Sequence, residues 1–358
     1  MKTFNFQDLL KSYITNKRLA KKEKDPVKSL EYENRASSIR YVLELNSPTL
    51  GSIKNHRRIM DNDVQYLQSF GEYAPFIRMF DEYEPIDAKL DESIPIKPVL
   101  SRLMMHTRGF YQQLRTKYYK NVYSVMADKE SIFKLTNGKK GKEAGVTLPL
   151  ADGKSFYISI QTTGTLQDYI SFVHEFSHVN AALINPDHAT YNKSCLFEVD
   201  ALLMEMLDLD FINGPYDKES AFYKIDIFND YVYSARIACE KMNLLAELTD
   251  KELNSKSYLE SYLKSKGYSD DEISDVLFSP IDSHYNYIYA CMVAIELYFR
   301  YLSNKDEALD LLESVINLTC DEPGQYIQEV AKLGIVVGEH VNDYRNMLME
   351  GYSYGQEL

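Results

Sequence analysis

One short interval separates this sequence from a plain helical bundle. Almost everywhere its apolar residues recur every three or four positions, the period of a helix with one buried face. Between Val146 and Gln161 that period falls to two. Val146–Leu150 and Ser155–Gln161 read as strands, and Ala151-Asp152-Gly153-Lys154 between them carries the Asp-Gly pair of a tight hairpin. In the second strand Phe156, Ile158 and Ile160 alternate with Tyr157, Ser159 and Gln161, which predicts one buried and one open face. The expected fold class is mainly α, with one small antiparallel sheet near the middle of the chain.

Upstream, Lys97–Met126 is the clearest helical stretch, with Val99, Leu103, Phe110, Leu114, Tyr118 and Val122 spaced by threes and fours. Asn46-Ser47-Pro48 and the three prolines between Pro85 and Pro98 break the helices. The basic run from Lys17 to Lys22 reads as a solvated helix face. Composition shifts at Asn137–Gly145, a polar, glycine-rich loop. This gives an N-terminal helical region 1–135 and a second region 136–358 with the hairpin and the later helices. Thr165 with Asp168 reads as a helix start, the hydroxyl capping a free N–H, and Ser269 with Glu272 as a capping box.

Composition narrows the function classes. An apolar fraction of 45% and a charged fraction of 26% are those of a chain with an ordinary core. A net charge of −13 argues against nucleic acid, which needs a positive field to hold phosphates. Cys195, Cys239, Cys291 and Cys320 are far apart and form no metal or redox pair, so they read as structural thiols in a reducing compartment. No signal-peptide core and no run of 18 apolar residues is present. The expectation is a soluble cytoplasmic protein with no membrane or nucleic-acid partner; the sequence is silent on its oligomeric state.

The helix opened near Thr165 contains His174-Glu175-Phe176-Ser177-His178 on an amphipathic frame of Ile170, Val173, Phe176, Val179 and Leu183. A spacing of four puts both imidazoles on one face, one turn apart, where their nitrogens can converge on one Zn²⁺. Glu175 follows the first ligand and is placed to take a proton from a water that the metal has made acidic. A catalytic zinc needs a third protein ligand. Twenty residues past His178, Glu198 and Glu205 share a face with Leu202 in the apolar run Cys195–Leu207, where an unpaired carboxylate would be costly. Glu198 is therefore the candidate third ligand, and Glu205 a carboxylate that orients an imidazole through its other nitrogen. Asp200 reads as solvated. Asp187 and His188 are rival ligands in a proline-containing loop, and Cys195 is a candidate fourth ligand for a structural metal.

These segments, in this order, resemble the zinc metallopeptidases of the oligoendopeptidase F and thimet oligopeptidase family. The resemblance runs from about Gly145 to Val336. It rests on SFYISIQTTGTLQDYISFVHEFSHVNAAL, on the paired-Glu segment LFEVDALLMEMLDL, on the tyrosine-rich SHYNYIYACMVAIELYF and on ALDLLESVINLTCDEPGQYIQEVAKLGI. It implies a zincin-type fold with a substrate groove between helical lobes and a shortened N-terminal region. It also implies hydrolysis of short unfolded oligopeptides, with Glu175 as general base. Ser177 stands where the family motif usually has glycine. The family uses a histidine and tyrosines to stabilise the oxyanion, which points to Tyr287 as donor and His284 as its companion. The open side of the Ser155–Gln161 strand would hold the peptide by β-augmentation. The alternative is a non-catalytic metal-binding or helical interaction protein on the same scaffold.

Overall fold

The computed structural model describes residues 6–24, 32, 36, 39, 56–90, 93–137, 145–150, 153–186, 195–212 and 216–356. In chain order the elements begin with α1 (Phe6–Lys22), α2 (His56–Phe70), α3 (Ala74–Asp81), α4 (Leu100–Leu114) and α5 (Thr116–Ala127). Three strands and a helix follow: β1 (Ile132–Asn137), β2 (Gly145–Pro149), β3 (Phe156–Thr162) and α6 (Gln167–Ile184). The rest is helical: α7 (Val199–Phe211), α8 (Asp217–Glu247), α9 (Lys256–Ser265), α10 (Asp270–Phe278), α11 (Asp282–Ser303), α12 (Lys305–Ile316), α13 (Gln325–Lys332) and α14 (Val341–Gln356). Two compact units alternate along the chain. The first comprises Met1–Ser52 and Ser93–Thr190, the second Ile53–Glu92 and Tyr191–Leu358. The compositional boundary near residue 135 falls inside the first unit, because Ile132–Asn137 is a strand of its sheet.

The hairpin forms as its turn residues predict. β2 and β3 pair antiparallel from Gly145↔Ile160 to Pro149↔Phe156. The Leu150 N–H donates to the Ser155 carbonyl at 2.7 Å, and Gly153 takes φ +66°, the left-handed conformation that a residue without Cβ adopts freely. Asp152 lies outside the described residues. The sheet is mixed rather than purely antiparallel, because β1 joins it parallel to β3, from Ile132↔Tyr157 to Asn137↔Thr162. With strand order β1-β3-β2, β3 has a hydrogen-bonded neighbour on each side. This corrects the reading of β3 as the strand that receives a peptide, since it has no free edge. Nor is its second face open throughout. Tyr157 is buried against Ile39, with Tyr13, Ile132, Val146, Leu148 and Leu150 around it.

The helical stretch Lys97–Met126 is two helices, interrupted at Arg115, whose backbone is extended. The periodicity reads through the break because Leu114 and Tyr118 stay four apart, and both are buried. α6 starts at Gln167 and is not capped by Thr165. Instead the Asp168 carboxylate reaches back to accept the Thr163 N–H at 2.7 Å and the Gly164 N–H at 3.0 Å, which pins the turn between β3 and the helix. Burial raises the Asp168 pKa, against the lowering effect of those two bonds.

In the second unit, α11 is buried continuously from Ile288 to Tyr298, as expected of a central helix with apolar residues all round. It packs against α3, α7, α8 and α12. A separate apolar cluster joins Met60 of α2, Ile237 and Leu244 of α8, Leu259 and Leu263 of α9 and Ile273, Val276 and Leu277 of α10. The Ser269–Glu272 capping box is formed. All four cysteines are free and buried. Among the described residues no helix is long and apolar enough to cross a membrane.

Candidate active site

In the first unit the site is built on α6. Ile170, Val173, Phe176 and Val179 are buried, which fixes the rotation of the helix and leaves His174 and His178 half-buried on a neighbouring face. Tyr111 of α4 ties the helix down, its hydroxyl donating to the Val173 carbonyl at 3.0 Å. The two imidazole Nε2 atoms lie 3.2 Å apart, with the rings nearly perpendicular. Two nitrogens bound at 2.0–2.1 Å to one tetrahedral zinc are about 3.3 Å apart, so this pair has the spacing of two ligands of one ion. Ser177, in place of the usual glycine, donates its hydroxyl to the His174 carbonyl at 2.9 Å.

Glu175 is buried. Its Oε2 is 2.6 Å from the Thr147 hydroxyl of β2, and that hydroxyl is 2.9 Å from the Glu175 carbonyl oxygen. β2 pairs with β3 on one side; among the described residues no strand pairs with its other edge.

In the second unit, Glu198 is the buried residue that immediately precedes α7, and its carbonyl accepts the Leu202 N–H at 3.0 Å. Glu205 lies almost two turns along the same face. Tyr231 of α8 is buried. Its hydroxyl pKa is raised, first by burial and then by electrostatic contributions that include those of Glu205 and Glu198. Tyr231 was not singled out from the sequence, and nothing in the sequence marks it among 29 tyrosines. Asp200 is 2% exposed, which corrects its reading as a solvated residue: the first turn of α7 is packed all round.

Tyr287 of α11 is 37% exposed. His284 is placed elsewhere. It is buried, and its charged neighbours are Lys241 of α8 and Asp275 of α10; burial and the Lys241 charge lower its pKa to about 4. Cys195 is buried with its Sγ 3.3 Å from Asn286 Oδ1, and burial raises its pKa to about 12. Asp187 and His188 lie outside the described residues. His174, Glu175 and His178 belong to the first unit, and Glu198, Glu205 and Tyr287 to the second.

No family model and no curated protein matches the chain. Solved structures do. An oligoendopeptidase F structure from Bacillus anthracis strain Ames shares 14% identity over 95% of this chain and 65% of its own, with a TM-score of 0.52. PZ peptidase A with an inhibitor shares 11% identity over 98% and 72%, at 0.54. A further oligoendopeptidase F structure shares 14% over 96% and 66%, at 0.54. The chain therefore has the fold of these peptidases while spanning slightly less than two thirds of the first of them.

Proposed function

We propose that this protein is a zinc-dependent peptidase that hydrolyses short, unfolded oligopeptides. The observation that carries the reading is the His174–His178 pair, whose nitrogens have the separation of two zinc ligands, with Glu175 next to the first on the same helix. Glu198 is assigned as the third ligand from its buried place at the N-cap of the apolar helix after the motif, and Glu205 as the carboxylate that orients an imidazole. The zinc would supply Lewis acidity, polarising a carbonyl and making a water acidic near neutral pH.

The side chains do the remainder. Glu175 takes the proton of the attacking water and passes it to the leaving amine. Tyr287, half-exposed on α11, donates its hydroxyl to the oxyanion as the carbonyl carbon becomes tetrahedral. His284 contributes as a buried neutral ring that packs the start of α11. The peptide lies along the edge of β2 that no strand among the described residues occupies, extending the sheet and giving its backbone amides partners without reading side chains.

The test combines zinc analysis with cleavage of quenched fluorescent peptides. Wild type binds one zinc per chain and cleaves. Glu175→Gln keeps the zinc and loses nearly all turnover, His178→Ala loses the zinc, and Tyr287→Phe keeps the zinc with kcat lowered about 10²–10³-fold. Zinc bound without Glu175-dependent cleavage favours a structural metal, and no bound zinc ends the peptidase reading.

A further inference from the structure

We propose that Gly145 and Thr147 on β2 form a cradle that fixes the Glu175 carboxylate, with Thr147 as the positioning residue. The proposal rests on the reading of Glu175 as general base, and it assigns a role to the end of the glycine-rich segment, which the sequence reading treated as loop.

Side chains alternate along a strand, so residues 145 and 147 project to one face of β2 and 146 and 148 to the other. Val146 and Leu148 pack around Tyr157, which leaves Gly145 and Thr147 toward α6. The Thr147 hydroxyl is 2.6 Å from Glu175 Oε2, the range of an O–H donor on a charged oxygen. The other oxygen rests against Gly145. A Cβ added there would lie 1.9 Å from Oε1, 2.6 Å from Cδ and 2.9 Å from Cγ, so only glycine leaves room for the carboxylate in this position. One oxygen thus meets a hydroxyl, and the other occupies the space that a side chain at position 145 would fill.

The reason for such an arrangement is geometric. A glutamate side chain has three rotatable bonds, and a base displaced by about 1 Å can lose on the order of 10²-fold in rate. Thr147 is also 2.9 Å from the Glu175 carbonyl oxygen, so a bland alternative exists in which it merely staples β2 to α6. A hydroxyl donates one proton, and the two acceptors compete for it. The staple and the cradle make different demands on kcat.

Thr147→Val, Thr147→Ser and Gly145→Ala are compared in the zinc-loaded full chain. For a cradle, Thr147→Val lowers kcat about 10–100-fold with KM within about twofold and zinc content unchanged. Thr147→Ser, which keeps the hydroxyl, restores kcat to within about threefold, and Gly145→Ala lowers it as Val does. A Thr147→Val protein that melts earlier but keeps kcat within about threefold overturns the proposal. A second measurement needs no activity: urea unfolding of zinc-free wild type, Thr147→Val, Glu175→Ala and the double variant. For a cradle, the double variant's unfolding constant stays within about threefold of the more affected single variant. If the two single effects multiply, the cradle is refuted. Wild type that cleaves nothing, with coupled variants, removes the peptidase reading and leaves the cradle.

Discussion

Replacing His284 with glutamine should remove a specific part of this protein's acid sensitivity. The imidazole is 9% exposed at the first turn of α11, and its Nε2 has no hydrogen-bond partner among the described residues. Burial makes the protonated ring unfavourable. The Lys241 ammonium adds to this and Asp275 opposes it, leaving a pKa of about 4. Lys241 is itself wholly buried against Asp63, so its charge is not screened by water. In the unfolded chain the same ring titrates near 6.5.

The sign follows from which state takes the proton. Between pH 6.5 and 4 the unfolded chain binds a proton that the folded chain refuses, so this contribution is complete above about pH 6.5 and is lost as pH falls. At pH 4 the loss is about 3 kcal/mol. Urea unfolding of wild type and His284→Gln at pH 7, 6, 5 and 4 isolates it, since the carboxylates are common to both proteins. Wild type should lose about 3 kcal/mol relative to the variant across that range. In the NMR titration of the seven histidines, one ring should stay neutral to below pH 5. A flat difference curve, or a His284 ring that titrates near 6.5, refutes the buried placement and returns His284 to the solvent side beside Tyr287.

Two further predictions concern charges in the second unit. Asp63 receives the Ile281 N–H at 2.8 Å and the Lys241 ammonium at 2.9 Å, and Lys241 also donates to the Ser279 carbonyl. Lys241→Met leaves that carboxylate buried alone and should cost about 3–5 kcal/mol in urea unfolding, with Lys241→Met/Asp63→Leu recovering most of it; equal stabilities of the two variants would count against a paired charge. His340 donates its backbone N–H to Glu296 at 2.8 Å and its Nδ1 lies 2.6 Å from the same carboxylate, which raises its pKa. The stability from this pair is complete below about pH 6.5 and fades as pH rises through the raised value, so Glu296→Gln should flatten the stability curve on the alkaline side of 6.5.

The readable parts of the molecule were those carried by short-range spacing. His174 and His178 are four residues apart on one helix, and the hairpin is announced by a two-residue turn, so local sequence specified both. β1 was not readable: Ile132–Asn137 is six residues long, and each of its residues pairs with one 25 positions later, in the second strand of the hairpin. Pairing at that distance leaves no periodic signature. The interruption at Arg115 was hidden because the spacing of Leu114 and Tyr118 survives it. Tyrosine shows the same limit. Tyr73 and Tyr289 meet edge to face at 4.6 Å, Tyr73 donates to the Pro323 carbonyl at 2.6 Å, and Tyr285 meets Met242 Sδ at 2.6 Å. The tyrosine surplus is in part a core surplus, with the Tyr73 and Tyr285 hydroxyls satisfied by partners far away in sequence.

Ser177 shows why a departure from a motif need not disturb its chemistry. Glycine inside a helix costs about 1 kcal/mol relative to alanine, and serine costs less. The usual penalty of a buried serine is its unpaired hydroxyl, and here that hydroxyl bonds the His174 carbonyl within its own helix. The Ser177 hydroxyl is therefore satisfied within α6. Its satisfied acceptor belongs to the first histidine's own backbone, and the Val173 carbonyl one residue earlier is held by Tyr111. Two consecutive carbonyls at the start of the motif thus have side-chain donors as well as helical ones. Extra acceptor bonds of this kind tend to bend a helix when unopposed. Here one arises within the helix and the other from α4, and α6 keeps the one-turn register that holds the two Nε2 atoms 3.2 Å apart.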